Sequence, residues 1–124
     1  MFINAEQQFS DRQRVEGLEY SRTLDLGHDP AGLHGAPALT AFINVHSAEG
    51  EVHAILEESK DRAKWFILAS LPNLKAGQAR TPKVTPVCRH LRIKWAASAP
   101  AVVSAALVDA VPSHIRLKEY DRDA

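Results

Sequence analysis

Six histidines give this chain its largest supply of side chains that bind metals or transfer protons. They are His28, His34, His46, His53, His90 and His114. A zinc or iron site needs several such ligands that converge at about 2 Å from the ion. No two of these histidines stand four residues apart on a predicted helix, and no two alternate along one predicted strand. We therefore expect surface or loop positions for them, and we expect neither a metal nor another cofactor.

The other candidates for catalysis are also isolated in the sequence. Cys88 is the single cysteine, which excludes an intramolecular disulfide and fits a reducing, intracellular environment. Its neighbours Arg89 and His90 would lower a thiol pKa, but a small cysteine is more often a buried packing residue. Glu57 and Glu58 form a carboxylate pair whose members would point to opposite faces of a strand, as at a solvated turn edge. Because catalytic groups must converge, we predict a protein that is not an enzyme.

Charge is segregated along the chain although the totals cancel. The sequence has 15 basic and 15 acidic residues, so its formal net charge is zero. Residues 60–95 carry nine of the bases and one acid, whereas residues 1–59 carry ten acids and three bases. The basic stretch also contains Trp65, Phe66 and Trp95. It predicts a cationic face for an acidic protein surface or a single-stranded nucleic acid. The alternative, which we favour for both tryptophans, is that the rings face the core and the bases alone reach solvent.

Alternating apolar residues predict the strands that would carry these side chains. In the clearest case Leu91, Ile93 and Trp95 alternate with Arg92 and Lys94. This alternation places Trp95 on the core side of a strand and both bases on the solvent side.

Three further segments have strand patterns, at residues 15–26, 39–45 and 101–111. One face of the first is formed by Leu18, Tyr20, Leu24 and Leu26. The third segment follows Pro100 and has apolar residues on both faces, which predicts core on one side and a partner on the other. Four proline or glycine breaks within residues 72–86 exclude a long helix there.

Residues 51–71 fit two different periods. A helical stripe would consist of Val52, Ile55, Leu56, Ser59, Ala63, Phe66 and Ile67. A hairpin would place on one face Val52, Ala54 and Leu56 and, after a turn at residues 59–62, Trp65, Ile67, Ala69 and Leu71. Composition slightly favours the helix, so the pattern alone leaves both open.

The length of 124 residues allows one domain with one core. Short strands between frequent turn signals predict an all-β fold, a jelly-roll-like β-sandwich. We place an N-terminal arm at residues 1–14, the β-sandwich at 15–111 and a polar C-terminal tail at 112–124. The longest uncharged stretch, residues 96–108, has thirteen residues, whereas a membrane span needs about 20. No signal peptide is recognisable, and we predict no membrane partner.

A series of short motifs follows in a fixed order along residues 1–111. They are Met1-Phe2-Ile3-Asn4-Ala5-Glu6, Phe9-Ser10-Asp11 with Gln13, Leu24-Asp25-Leu26-Gly27, Gly35-Ala36-Pro37, Leu56 with Ser59, Asp61 and Trp65, Ala76-Gly77, Leu91-Arg92-Ile93, and a closing run from Ala105 to Asp109. In this order and spacing the chain resembles a family of capsid cement (decoration) proteins of tailed bacteriophages. It departs from that family near the first motif, where the usual Thr- and Ser-rich strand is charged, and beyond Asp109, where the chain continues.

The resemblance implies a jelly-roll-like fold on the outer surface of a phage capsid. There the protein would bind the major capsid protein and reinforce the contacts between capsomers. The resemblance also implies a homodimer, with a trimer as the alternative, made in the host cytoplasm and carried in the virion. It favours the hairpin for residues 51–71. The alternative function is a single-stranded nucleic-acid-binding β-domain that uses the basic region at residues 60–94.

Two sets of residues are candidates for contacts with partners. The shell-binding candidates are Phe2, Ile3 and Phe9 in the arm and Lys64, Lys83, Arg92 and Lys94 in the basic region. For the arm, the alternative is an edge strand tucked onto its own sheet. A two-fold dimer needs a self-complementary patch, for which residues 101–111 supply the second apolar face. The self-association candidates are therefore Val102, Ser104, Ala106 and Val108.

Overall fold

The computed structural model describes residues 7–30 and 38–108, which form a curled antiparallel sheet of eight strands. The strands are β1 (Gln8–Tyr20), β2 (Leu24–Asp25), β3 (Leu39–Ala48), β4 (Val52–Ser59), β5 (Phe66–Leu74), β6 (Ala79–Arg80), β7 (Lys83–Val84) and β8 (His90–Leu107). These two ranges hold strands and turns but no α-helix, which confirms the all-β class. The jelly-roll arrangement stays a prediction, and the predicted tail at residues 112–124 lies outside the described residues.

Strand β8 is the spine of the sheet because it pairs with neighbours on both of its edges. Along one edge it pairs with β1, from Tyr20 opposite Lys94 to Gln8 opposite Ala106, and β2 continues this edge. Along the other edge it pairs first with β4, over residues 90–97, and then with β3, over residues 101–107. The strand therefore belongs to two half-sheets, which curl around a common core.

The bend between the half-sheets lies at residues 98–100 of β8, which have no partner in any strand ladder. The prediction that Pro100 separates two strands is wrong, because β8 continues through it. A proline removes one backbone donor, and at this corner no ladder hydrogen bond requires that donor.

The core lies between the inner faces of the two half-sheets, and its residues follow the predicted alternation. Strand β8 contributes Leu91, Ile93, Trp95, Ala97, Ala101, Val103, Ala105 and Leu107, all of them buried. Strands β3 and β4 contribute Leu39, Ala41, Ile43, Val45, Val52, Ala54 and Leu56. The indole of Trp95 is fully buried, and its Nε1–H donates to Ser10 Oγ on β1 at 3.1 Å. The prediction that Trp95 faces the core is confirmed.

Residues 51–71 form the hairpin and not the helix, because β4 and β5 pair directly with each other. The predicted face of β5 is only partly correct. Leu56 lies opposite Ala69, but the next residue of β4, Glu57, lies opposite Ile67. Leu68 is therefore an extra residue in β5, a β-bulge. It packs against the core, whereas Ile67 is 66% exposed.

Strand β1 runs from Gln8 to Tyr20 and so crosses the predicted boundary between an arm at residues 1–14 and a domain from residue 15. Phe9 and Val15 are buried in the core, but Leu18 and Tyr20 are exposed. The ladder shifts register between Val15 and Gly17, whose positive φ of 72° fits a bulge. An extra residue turns the following side chains to the opposite face.

Candidate partner-binding surface

The outer face of one half-sheet combines exposed apolar side chains with charged ones. Residues directly opposite each other in a ladder lie on the same face. Lys94 lies opposite both Tyr20 of β1 and Ile55 of β4, and Arg92 lies opposite Glu57. This face is turned away from the core, because the alternate residues of β8 are buried. We call it the outer face.

A charged and aromatic cluster, which we call the Arg92 clamp, lies at the centre of this face. It consists of Tyr20, Glu57, Trp65, Arg92 and Lys94. The Arg92 guanidinium lies 4.0 Å from the centroid of the Tyr20 ring and 3.9 Å from that of the Trp65 ring. Its Nε donates to Glu57 Oε1 at 2.9 Å, and Lys94 Nζ lies 3.9 Å from Glu57 Oε2. The clamp therefore joins β1, β8, β4 and the turn that follows β4.

The clamp corrects three predictions. Arg92 was a shell-binding candidate, but its guanidinium is already engaged by two rings and a carboxylate. Trp65 was predicted to face the core, but it is half-buried on the outer face, where its Nε1–H donates to Arg62 O at 3.2 Å. Lys94 is half-buried beside Glu57. Residues Arg92 and Lys94 therefore support the surface more than they extend from it.

The paired carboxylates Glu57 and Glu58 are buried and not solvated as predicted, although they do point to different partners. Glu57 bonds with the clamp. Glu58 Oε1 accepts the backbone N–H groups of Val87 at 2.8 Å and Cys88 at 3.0 Å. These two hydrogen bonds fix the segment before β8 against the end of β4. Cys88 is buried, as its predicted packing role requires, and burial with the nearby Glu58 charge raises the pKa of its thiol.

The turn between β4 and β5 is fixed by its own side chains. We call residues 60–67 the hairpin tip. Asp61 Oδ1 accepts the backbone N–H groups of Ala63 at 2.8 Å and Lys64 at 3.1 Å, and the hydroxyl of Ser59 at 3.1 Å. Ser59 Oγ in turn accepts the N–H of Arg62 at 2.8 Å. The backbone N–H hydrogen bonds, chief among the causes, lower the pKa of Asp61 to about 2.

Large apolar side chains are exposed around the clamp. Phe66 and Ile67 at the hairpin tip are 58% and 66% exposed, and Leu18 on β1 is 59% exposed. Tyr20, one of the two rings on Arg92, is also exposed. Leu18, Tyr20 and Ile67 were not among the predicted contact residues. The missed signal is Gly17, because a glycine inside an alternating strand pattern often marks a bulge.

The structure does not bring all the basic candidates together. Lys64 lies at the hairpin tip with Lys60 and Arg62, and all three are exposed. Lys83 is exposed on β7, which pairs with the start of β3 in the other half-sheet. The basic stretch therefore supplies separate surfaces and not one continuous cationic face.

The predicted arm anchor is only partly described. Phe9 is 2% exposed and packs in the core, so it is not available to a shell, and the alternative of a strand on its own sheet is correct for this residue. Phe2 and Ile3 lie outside the described residues.

The predicted self-association patch is largely covered by the chain itself. Ala106 is 4% exposed, between Gln8 on β1 and Phe42 on β3. Ser104 Oγ accepts the N–H of Arg12 at 2.9 Å and lies 2.7 Å from His46 Nε2. These two residues are therefore engaged by β1 and β3 of the same chain. Their partners on the same face, Val102 and Val108, are half-buried.

An open crevice of about 450 Å³ lies at the bend, beside Glu16, Glu19, Glu49 and Pro100. The N–H of Glu16 donates to Glu19 Oε2 at 2.8 Å.

Within residues 7–30 and 38–108, no three His, Cys, Asp or Glu side chains are grouped so that they could hold a metal ion. His34 and His114 lie outside these ranges.

Comparison with known proteins adds no relative. No family model matches the chain, and no curated protein matches it significantly. None of the described segments is a helix with the length and apolar character needed to cross a bilayer.

Proposed function

We propose that the protein is a structural virion component that binds the outer surface of a tailed-phage capsid and reinforces the contacts between capsomers. The proposal rests on the motif resemblance, which runs in order along residues 1–111, and on the all-β fold. Its expected partners are the major capsid protein and a second copy of this chain. No cofactor is needed, because the work is adhesion.

The observation that carries the proposal is the combination of side chains around the Arg92 clamp. Leu18 and Ile67 expose apolar surface on the outer face, and the exposed Lys60 and Lys64 lie in the turn that leads into β5. Exposed apolar groups rimmed by polar residues are typical of protein–protein contact sites. A sheet face of this kind adheres without a conformational change, so little binding energy is lost to ordering.

Reinforcement of a shell follows from repetition. Each copy that touches both sides of a joint between capsomers adds a bond at that joint. Once one side is bound, the second contact forms at high effective concentration. Many copies then act together, so that modest single contacts give a large collective effect.

The test uses capsids that have been emptied of DNA and stripped of this protein. The purified chain should co-sediment with these capsids and raise the temperature at which the shells break, as followed by light scattering. An unchanged rupture temperature at saturating protein would refute the proposal.

The alternative, a single-stranded nucleic-acid binder, draws on the three exposed bases of the hairpin tip beside Trp65 and Phe66. Base stacking on aromatic rings normally supplies much of that affinity. Here Arg92 already covers one face of the Trp65 ring and Trp95 is fully buried, which weighs against this function. A gel-shift assay with a labelled oligonucleotide separates the two, because phosphate binding must weaken steeply as salt is raised.

A further inference from the structure

We infer that the hairpin tip, residues 60–67, is the docking element and that it binds an acidic protein surface, with Phe66 and Ile67 making apolar contacts on the two sides of the tip. The inference rests on the proposed function, in which this surface belongs to the capsid shell. It assigns the contact to one turn of the chain, and not to the basic region as a whole.

The first support is that the tip is preorganised. Asp61 and Ser59 together accept hydrogen bonds from four backbone N–H groups of the turn, at 2.8 to 3.3 Å. Trp65 closes the turn through its bond to Arg62 O and is stacked on Arg92. A turn held in this way loses little conformational entropy on binding. The clamp thus fixes the tip to three strands of the sheet.

The second support is the charge that the tip presents. Lys60, Arg62 and Lys64 are exposed, and the single acid of the tip, Asp61, directs Oδ1 to the turn's own N–H groups. Asp61 remains a charged carboxylate, so the tip carries three positive charges against one negative charge, a formal net charge of +2. Such a surface steers association with an acidic partner.

The third support is the apolar pair at the start of β5. Both Phe66 and Ile67 are more than half exposed. Ile67 pairs with Glu57 on the outer face, whereas Phe66 pairs with Glu58 on the opposite face, so the tip offers apolar contact area on both sides. Ile67 provides no ring for stacking on a base, which favours a protein partner over a nucleic acid. Aromatic side chains at the centre of an interface often carry much of its binding energy.

The geometry of β5 favours a contact through side chains over the addition of a strand to its edge. Strand β5 ends the strand order of the sheet, so its outer edge has no described partner strand. That edge contains a bulge at Leu68, Pro72 and the positive-φ residue Asn73. Bulges and prolines on an edge strand hinder the addition of another strand. A partner must therefore be held by the side chains of the tip.

The experiment compares two charge reversals in the full chain. The first variant is K60E/K64E at the tip, and its matched control is K75E/R80E, which reverses two exposed bases along β3. We expect K60E/K64E to bind emptied capsids about tenfold more weakly or worse, mainly through slower association, because steering by charge raises association rates by roughly 10 to 10³. The control should bind like the wild type.

A second pair tests the apolar contact. F66S/I67S should also weaken capsid binding about tenfold or more, mainly through faster dissociation, since most interface substitutions act on the dissociation rate. Its control is Val87→Ser, which removes an exposed apolar side chain outside the tip. Circular dichroism and urea unfolding verify that all four variants fold.

The outcomes separate this inference from the proposed function. If the wild type binds capsids and both tip variants bind equally well, the tip is not the docking element, but the proposed shell function is retained. No binding by the wild type overturns both. If analytical ultracentrifugation shows instead that the wild type self-associates and that K60E/K64E does not, that result would assign the tip to the crevice beside Glu16, Glu19 and Glu49 of a second copy. Loss of oligonucleotide binding in K60E/K64E would assign it to nucleic acid. Either result overturns the shell contact.

Discussion

Replacement of Arg92 by alanine tests whether the Arg92 clamp holds the outer face together. The arginine side chain is 20% exposed and that of Glu57 is 7% exposed, so the pair is largely shielded from solvent. The substitution removes a charged hydrogen bond, typically worth about 1.5–3 kcal/mol. It also removes two cation–ring contacts of about 0.5–1 kcal/mol each.

These contributions overlap because a single guanidinium makes all the contacts, so we expect a loss of about 3 kcal/mol in the free energy of unfolding. Glu57 would remain buried with only Lys94 nearby, at 3.9 Å. Loss of one partner from a buried pair typically costs about 3–5 kcal/mol. We take the lower end because Lys94 retains part of the compensation.

Arg89→Ala is the matched control. Arg89 Nε lies only 2.6 Å from Asp25 Oδ1, but the two side chains are 45% and 47% exposed. The pair is bidentate, since Arg89 Nη2 also donates to Asp25 Oδ2 at 2.9 Å, so we expect it to contribute near the upper end of the usual range of about 0–1 kcal/mol for exposed pairs. The shorter ion pair should therefore matter less than the longer one, because solvent screens it.

The assay is urea unfolding at pH 7, followed by circular dichroism, with the free energy extrapolated to water. In a second arm, Arg92→Met is combined with Glu57→Leu. This exchange should recover most of the stability, since apolar residues often replace a buried ion pair without loss. Equal losses in Arg92→Ala and Arg89→Ala would refute the reasoning, and so would a loss below about 1 kcal/mol for Arg92→Ala.

Three further changes have expected outcomes. The pKa of Asp61 is about 2 in the folded chain against an ordinary value of 3.8, so the stabilisation by this carboxylate is present above about pH 4 and is lost as the pH falls toward 2. In Asp61→Asn the free energy of unfolding, measured with urea, should change less with pH over that range. A pH dependence as steep as that of the wild type would contradict this. Gly50→Ala places a Cβ against Ser98 Oγ, which must rotate and give up its hydrogen bond from the Glu51 N–H, so urea unfolding should show a loss of about 0.5–1.5 kcal/mol; in a Ser98→Ala background the same change should cost almost nothing. Trp95→Phe leaves a void and frees Ser10 Oγ from its bond at 3.1 Å, so the melting temperature should fall by several degrees, as for a loss of about 1–3 kcal/mol.

Much of the fold was predictable because period-two alternation is a local signal. Leu91, Ile93 and Trp95 are buried as their spacing predicts, and the hairpin of β4 and β5 follows the same rule. Alternation identifies a strand and its inner face without knowledge of the neighbouring strands.

Two side chains whose face was predicted wrongly, Tyr20 and Ile67, share a physical cause, which is the β-bulge. Tyr20 follows the bulge between Val15 and Gly17, and Ile67 precedes the bulge at Leu68. In each case the extra residue reverses the face of the side chains beside it. Where a bulge occurs depends on which strands pair and in what register, so the spacing along one strand does not determine it. The Arg92 clamp depends on these reversals, since the Tyr20 ring could not reach Arg92 from the core side.

The basic residues are clustered in one stretch of the sequence but are distributed over separate parts of the surface, so the cationic surface at any one place is smaller than the sequence suggests. After β5 the chain crosses to the free edge of β3, which carries Lys75, Arg80 and Lys83 away from the hairpin tip. Arg92 is used internally by the clamp. Cations and exposed apolar side chains therefore coincide at the tip, which is a small surface. A small contact gives weak binding per copy, so the proposed reinforcement of a shell requires many copies that each engage both sides of a joint.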